Sequence, residues 1–430
     1  MAKKANLLNQ SNGEASNMTK KANLFRCQQH QKKKLGPPNP RIRKGKRVVK
    51  QMNIVDKQAT GIHFHDEIII QILIRLPMRP LHQCKCVSKS WAALISNPYF
   101  KRKHLNHAMN NHNSQKLLIC RPCPKDGTMC FYRSSLSSVD VEKLYFPVNC
   151  RARHCKILCC SNGLSLILVF VPDEVEQLFL WNPSTGESII LPNPQFPPRH
   201  PSYSIYGLGY DSTSDGFKIL KIDMDKPYST QVLALKSGSW QNIDYPRNIK
   251  NLFSGMDSLA FVHGAFHWIG LSVYCSIVSF NISNEVYGEI PLPDQICRSC
   301  NRFVETGVSI LGGMLCSYSS CVGYFSCIDV RVGGIFRIWV MKDYGVKESW
   351  VKLYTIRDDM FYSSLPKYRF EDGEVLLYGT NARTLKFGCG FSTSKGPFGL
   401  WPQYDNHHQG FAFTESLTSP KLLRILRMFD

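Results

Sequence analysis

The chain has 430 residues, of which 43% are apolar and 11% aromatic, enough for two or three domains with a real core. Its formal charge of +21 is lopsided, because residues 1–60 hold 15 Lys and Arg against two acids. A basic tail on a mildly basic body argues against a dedicated nucleic-acid protein, and the lack of any 18-residue apolar run argues against a transmembrane helix.

Residues 1–60 are predicted to be a disordered basic tail, polar and broken by Gly36-Pro37-Pro38-Asn39-Pro40. Lys3–Leu7 is repeated at Lys20–Leu24, a local duplication rather than a folded repeat. The clusters Lys32-Lys33-Lys34 and Arg41–Arg47 have the spacing of a bipartite nuclear import signal, or of a solvated arm with no receptor. The N-terminus lacks an apolar segment of signal-peptide length, so secretion is not expected and the location is expected to be nucleus and/or cytoplasm. The 17 cysteines, an odd number, are then expected as reduced thiols.

Residues 61–108 carry a helical pattern. Asp66 and Glu67 suit a helix N-terminus. Ile68, Ile69, Ile72, Leu73 and Leu76 follow as one broad apolar face. Pro77 and Pro80 should stop this helix and force a turn. A second short helix fits Leu81–Val87. Ser88 is a candidate N-cap for a third, with Trp91, Leu94 and Ile95 facing inward and Asn97-Pro98 ending it.

From about residue 115 to 420 the period becomes strand-like. Apolar runs recur between turn residues: Leu166–Val171, Leu178–Trp181, Ile219–Ile222, Val232–Leu235, Leu259–Val262, Ile277–Phe280, Ile335–Val340 and Val375–Tyr378. No long amphipathic helix interrupts them, which disfavours a parallel βαβ sheet. Two words repeat. Leu180-Trp181-Asn182-Pro183, closing on Leu191-Pro192, parallels Ser279-Phe280-Asn281-Ile282, closing on Ile290-Pro291. Lys236–Ile243 parallels Lys347–Leu353, each with a central Trp. Repeated four-stranded units point to a β-propeller of about six or seven blades, with a single large sandwich as the alternative.

Residues 64–77 and 81–100 resemble an F-box: apolar spacing, Pro-marked turns and the word Cys86-Val87-Ser88-Lys89-Ser90-Trp91 agree. The family usually opens with Leu-Pro, and this chain has Phe64-His65, which keeps an apolar group but loses the pre-set φ of Pro. The rest resembles the plant F-box-associated interaction domain, a kelch-like propeller. The matching words are Ser161–Leu164, Leu180–Gly186, Tyr206–Asp211, Val262–Trp268, Ile338–Gly345 and Phe413–Leu417, in family order. The resemblance implies a mainly β protein with a small three-helix F-box ahead of the propeller. It implies a non-catalytic substrate-recognition subunit of an SCF (Skp-cullin-F-box) ubiquitin ligase, binding a Skp-type adaptor, a cullin indirectly, and a protein substrate. Phe64, Ile68, Ile69, Ile72, Leu76, Pro77, Leu81, Val87 and Trp91 would then meet the adaptor, with Trp91 and Leu94 also holding the helices together. The opposing reading packs all of them against the propeller.

Substrate is expected on a rim of loops, with Pro194–Tyr206 and Asp294–Phe303 as candidates or as ordinary connections. Cys120-Arg121-Pro122-Cys123 and Cys297-Arg298-Ser299-Cys300 have zinc-like spacing, with His154, Cys155, Cys159 and Cys160 between them. The pairs are too far apart in sequence for a usual structural site, so no metal or cofactor is expected. Asp211, Asp215, Asp358-Asp359, Gly207, Gly209, Gly312, Gly313 and His407-His408 read as turns and exposed loops, not as catalytic or phosphate-binding groups. Competing functions are a glycan-binding or nucleic-acid-associated F-box protein acting outside a ligase, or a propeller enzyme.

Overall fold

The computed structural model describes residues 66–423, apart from 124, 137–140, 147–153, 171–175, 195–203, 224–228, 245, 247–249, 252–258, 272–274, 294–295, 297–303, 325–330, 358–360, 382–386, 393–395 and 399–408. The basic tail, Phe64, Asp358-Asp359, His407-His408 and the Cys297/Cys300 pair lie outside these residues, as do most of the two candidate substrate loops.

Four helices come first: α1 (Asp66–Leu73), α2 (Met78–Cys84), α3 (Lys89–Ser96) and α4 (Pro98–Met109). The Ser88 hydroxyl accepts from Trp91 N at 3.1 Å and caps α3 as expected. The sequence reading is corrected after α3. Asn97 does end that helix, but its side chain accepts from Tyr99 N at 2.8 Å and starts α4, with Pro98 at the first helical position. Proline costs nothing there, since its missing N–H would have no partner. Pro80, read as part of a turn, lies in the first turn of α2 for the same reason.

The strands follow in chain order. The first sheet holds β1 (Gln115–Pro122), β2 (Met129–Ser135) and β3 (Val141–Leu144). The second holds β4 (His154–Ser161), β5 (Leu164–Phe170), β6 (Gln177–Trp181) and β7 (Ser188–Ile190). The third holds β8 (Ser204–Asp211), β9 (Gly216–Asp223), β10 (Thr230–Ala234) and β11 (Ser239–Ile243). The fourth holds β12 (Lys250–Asn251), β13 (Ala260–Val262), β14 (Ala265–Leu271), β15 (Cys275–Asn281) and β16 (Tyr287–Pro291). The fifth holds β17 (Val304–Leu311), β18 (Met314–Tyr324), β19 (Arg331–Met341) and β20 (Trp350–Arg357). The sixth holds β21 (Phe361–Arg369), β22 (Val375–Asn381), β23 (Phe387–Ser392) and β24 (Gly396–Phe398). Last, β25 (Gln409–Thr414) returns to β1, with Leu117 opposite Ala412.

All the pairings are antiparallel, and within each sheet consecutive strands pair except where β25 joins β1 and where β12 joins β14. The innermost strands meet in cyclic order: β25, β4, β8, β13, β17, β21 and back to β25. The ring therefore closes by pairing the C-terminal strand with the first, which protects the inner edges of the sheets. The expectation of six or seven four-stranded units is corrected: among the described residues five sheets have four strands, and the fourth sheet in the chain has five. The apolar runs read from the sequence fall on β5, β6, β9, β10, β13, β15, β19 and β22.

The repeated words have one physical role each. Asn182 Oδ1 accepts from Ser184 N at 2.7 Å, and Asn281 Oδ1 accepts from Ser283 N at 2.9 Å, so both side chains fold the same kind of turn. Trp240 Nε1 donates to Pro192 O at 2.8 Å, and Trp350 Nε1 donates to Pro291 O at 3.0 Å. Each Trp thus stitches its sheet to the apolar-Pro pair ending the preceding sheet.

Candidate functional site

The helices build a compact apolar core. Leu73, Ile74, Met78, Leu81, Ile95 and Phe100 are buried together, with Ile69, Ile70, Leu76, Trp91 and Leu94 half-buried around them. His104 on α4 lies over Phe100 and donates from Nε2 to the Leu76 carbonyl at 3.1 Å. That bond fixes the turn between α1 and α2 against α4. Burial keeps the His104 imidazole below its ordinary pKa.

This core divides the residues singled out from the sequence. Leu81 is fully buried and Ile69, Leu76 and Trp91 are half-buried, so these four hold the helices together. The face read across α1 splits as well. Its inward side is Ile69, Ile70, Leu73 and Ile74, whereas Ile68 and Ile72, one turn apart, are 47% and 56% exposed. Pro77 is exposed ahead of α2, and Val87 behind it is 67% exposed. A Leu76/Leu81 double substitution would strike the interior of this unit. Of the residues singled out from the sequence, the outward ones are Ile68, Ile72, Pro77 and Val87.

The residue that sequence reading missed is Leu417, buried in the same helical core although it follows β25. Its neighbours tie it to the ring. Asn182 Nδ2 donates to the Ser416 carbonyl at 2.9 Å and to the Thr418 carbonyl at 2.7 Å. Gly163, at φ +78°, leaves room for Ser416, since a β-carbon there would lie 2.4 Å from the Ser416 β-carbon. Three words of the sequence resemblance, at 161–164, 180–186 and 413–417, therefore converge on one strap.

Charge adds a second tie. Arg133 on β2 donates to Glu415 at 2.7 Å and to Glu142 at 2.6 Å, and Glu142 also pairs with Arg79 of α2. Burial pushes the Glu415 carboxyl up, and Arg133 opposes that shift. Arg102 of α4 lies 3.5 Å from Asp215, in the turn after β8.

The remaining candidates have structural roles. Gly207 and Gly209 admit the rings of Phe266 and Phe261, which stand 2.6 Å and 2.5 Å from where a β-carbon would be. Asp211 accepts from Thr213 N, Ser214 Oγ and Ser283 Oγ and so links two sheet turns. Although burial opposes ionisation, the bonds from Ser283 and Ser214 hold its carboxyl well below the usual carboxylate range. Cys120, Cys123, Cys155, Cys159 and Cys160 are free thiols. Among the described residues no three His, Cys, Asp or Glu side chains converge to hold a metal, and no helix is long and apolar enough to cross a membrane.

Comparison with known proteins agrees with this division. The F-box domain family matches residues 63–103, and the F-box associated beta propeller domain family matches residues 111–383. F-box protein CPR1 of Arabidopsis thaliana is 28% identical over 355 residues, covering 75% of this chain and 81% of that protein. F-box/kelch-repeat protein At3g23880, also of Arabidopsis thaliana, is 25% identical over 307 residues, covering 67% of this chain and 78% of that protein. With helices at its start, a closed ring of sheets behind them and a family match spanning most of that ring, the chain belongs to the plant-type F-box proteins that carry an F-box associated beta propeller domain.

Proposed function

We propose that the chain is the substrate-recognition subunit of an SCF-type ubiquitin ligase, acting in the nucleus and/or cytoplasm. The F-box docks on a Skp-type adaptor, and the propeller holds a protein substrate. The observation that carries this reading is that Ile68, Ile72, Pro77 and Val87 remain outside a helical core already complete without them. Exposed apolar side chains on a small helical unit are what a partner groove would cover. Each large one buried contributes about 1.5–3 kcal/mol. Leu81, Leu76 and Trp91 support that surface from within.

Ubiquitin transfer is assigned to the partners. This subunit supplies proximity, raising the effective concentration of a bound substrate near the activated ubiquitin. That role needs a fixed distance between adaptor and substrate. The Leu417 strap and the Arg79–Glu142–Arg133–Glu415 chain support such stiffness. Co-purification of the tagged full chain from plant cells tests the reading. A Skp-type adaptor and a cullin should accompany the wild type and be lost from Ile72→Asp/Val87→Asp. Their absence from the wild type, or their persistence with the variant, would overturn it.

A further inference from the structure

A cavity of about 800 Å³ lies along the axis of the ring, between its inner strands and the end of α4. Its volume suits a small organic ligand, whose sites span roughly 300–1,000 Å³. Its charge is one-sided. Lys367 and Arg369 line it, beside the imidazoles of His112 and His263, and among the described residues no Asp or Glu does. The pairing of β21 with β22 slips between Pro366 and Tyr368, a bulge at Lys367. Lys367, Tyr368 and Arg369, consecutive at this bulge, all line the cavity.

The cationic and imidazole groups differ in their surroundings. His112 meets the Tyr368 hydroxyl through Nδ1 and lies 3.2 Å from Glu371 through Nε2. Lys367 Nζ stands 4.4 Å from the Phe411 ring centroid. Arg369 has no ion pair among the described residues, and its stem lies beside Gly312. The carbonyls ending α4 would repel an anion, but Gln115 Nε2 already bonds the Ala108 carbonyl at 3.2 Å.

We propose that this axial cavity binds a small molecule carrying a phosphate or carboxylate on a flat apolar body. Arg369 presents a planar fork to the anion, Lys367 adds a point charge, and Phe411 and Tyr368 flank the flat body. Because Met109 and Asn110 also line the cavity, the ligand touches both the last F-box helix and the propeller.

Calorimetry on the full chain tests this with phenyl phosphate and benzoate, which separate the two anion types, and with benzyl alcohol as the neutral control. At least one anion should bind saturably at one site and protect the amides of 109–115 from exchange. Benzyl alcohol should bind at least tenfold more weakly. Arg369→Gln and Lys367→Gln should each lower anion affinity at least tenfold, and Arg369→Lys should recover part of the loss. Replacing Lys32, Lys33 and Lys34 by Gln should change nothing. Failure of both anions to bind, equal binding of the alcohol, or loss only on changing the three lysines would overturn the proposal.

Discussion

Asn182 Nδ2 donates to the Ser416 carbonyl at 2.9 Å and to the Thr418 carbonyl at 2.7 Å, clamping both neighbours of Leu417. Asn182 closes a sheet turn, while Leu417 fills the F-box core. One buried amide therefore couples the folding of the ring to the seating of the helices. Leu417→Ala should cost about 2–5 kcal/mol, as cavity-forming truncations do. The loss should fall first on α1 to α3. Amide exchange should show those helices opening while β5 and β14 keep their protection.

Gly163 and Ser416 form a contact that only glycine permits, by both space and conformation. Gly163→Ala should destabilise the chain by more than about 1 kcal/mol, since φ is positive and the β-carbon strikes Ser416. Ser416→Gly should relieve the collision with Ser416 and leave the backbone strain and the 2.9 Å approach to the Thr414 carbonyl. A double-mutant cycle in urea should therefore give a favourable coupling smaller than the single Gly163→Ala loss.

Trp240 and Trp350 make the same indole-to-proline bond between different pairs of sheets. Each Trp→Phe change should remove one bond, worth about 1 kcal/mol, and at buried Trp240 should add a cavity cost. The two sites share no sheet, so their effects on unfolding free energy should add within about 0.5 kcal/mol.

His267 sits fully buried on β14, with Nε2 2.8 Å from the Tyr344 hydroxyl. Burial pushes its imidazole down to about 4. The folded state keeps His267 neutral, while the unfolded chain takes up a proton near pH 6.5. Its contribution is therefore complete above about pH 6.5 and is lost as pH falls toward 4. Urea midpoints at pH 7.5 and 5 should differ more for the wild type than for His267→Gln.

The ring was legible because its strands alternate short apolar runs with Asn- and Gly-marked turns, and Asn182/Asn281 and Trp240/Trp350 repeat at matching places. Strand count per sheet was not, because β12 and β13 both pair with β14, and nothing in their composition marks two short strands sharing one partner. Helix α4 was hidden by Pro98, which ends helices and also opens them. The split of α1 into an inward side, Ile69 and Leu73, and an outward side, Ile68 and Ile72, could not be read locally. Continuous isoleucine from 68 to 70 gives no polar face to orient the helix, and its inward side is fixed by Ile95 and Leu417 from elsewhere. Leu417 was invisible as an F-box residue because the whole ring separates it from α4 in the chain.

Calorimetric titration of the full chain with a purified Skp-type adaptor tests the central claim most directly. Ile72→Asp/Val87→Asp should weaken binding by at least about 100-fold, because two large apolar side chains no longer fill the partner's groove, with an unchanged unfolding midpoint. Adaptor affinity unaltered by that pair, in a chain that remains folded, would contradict the account.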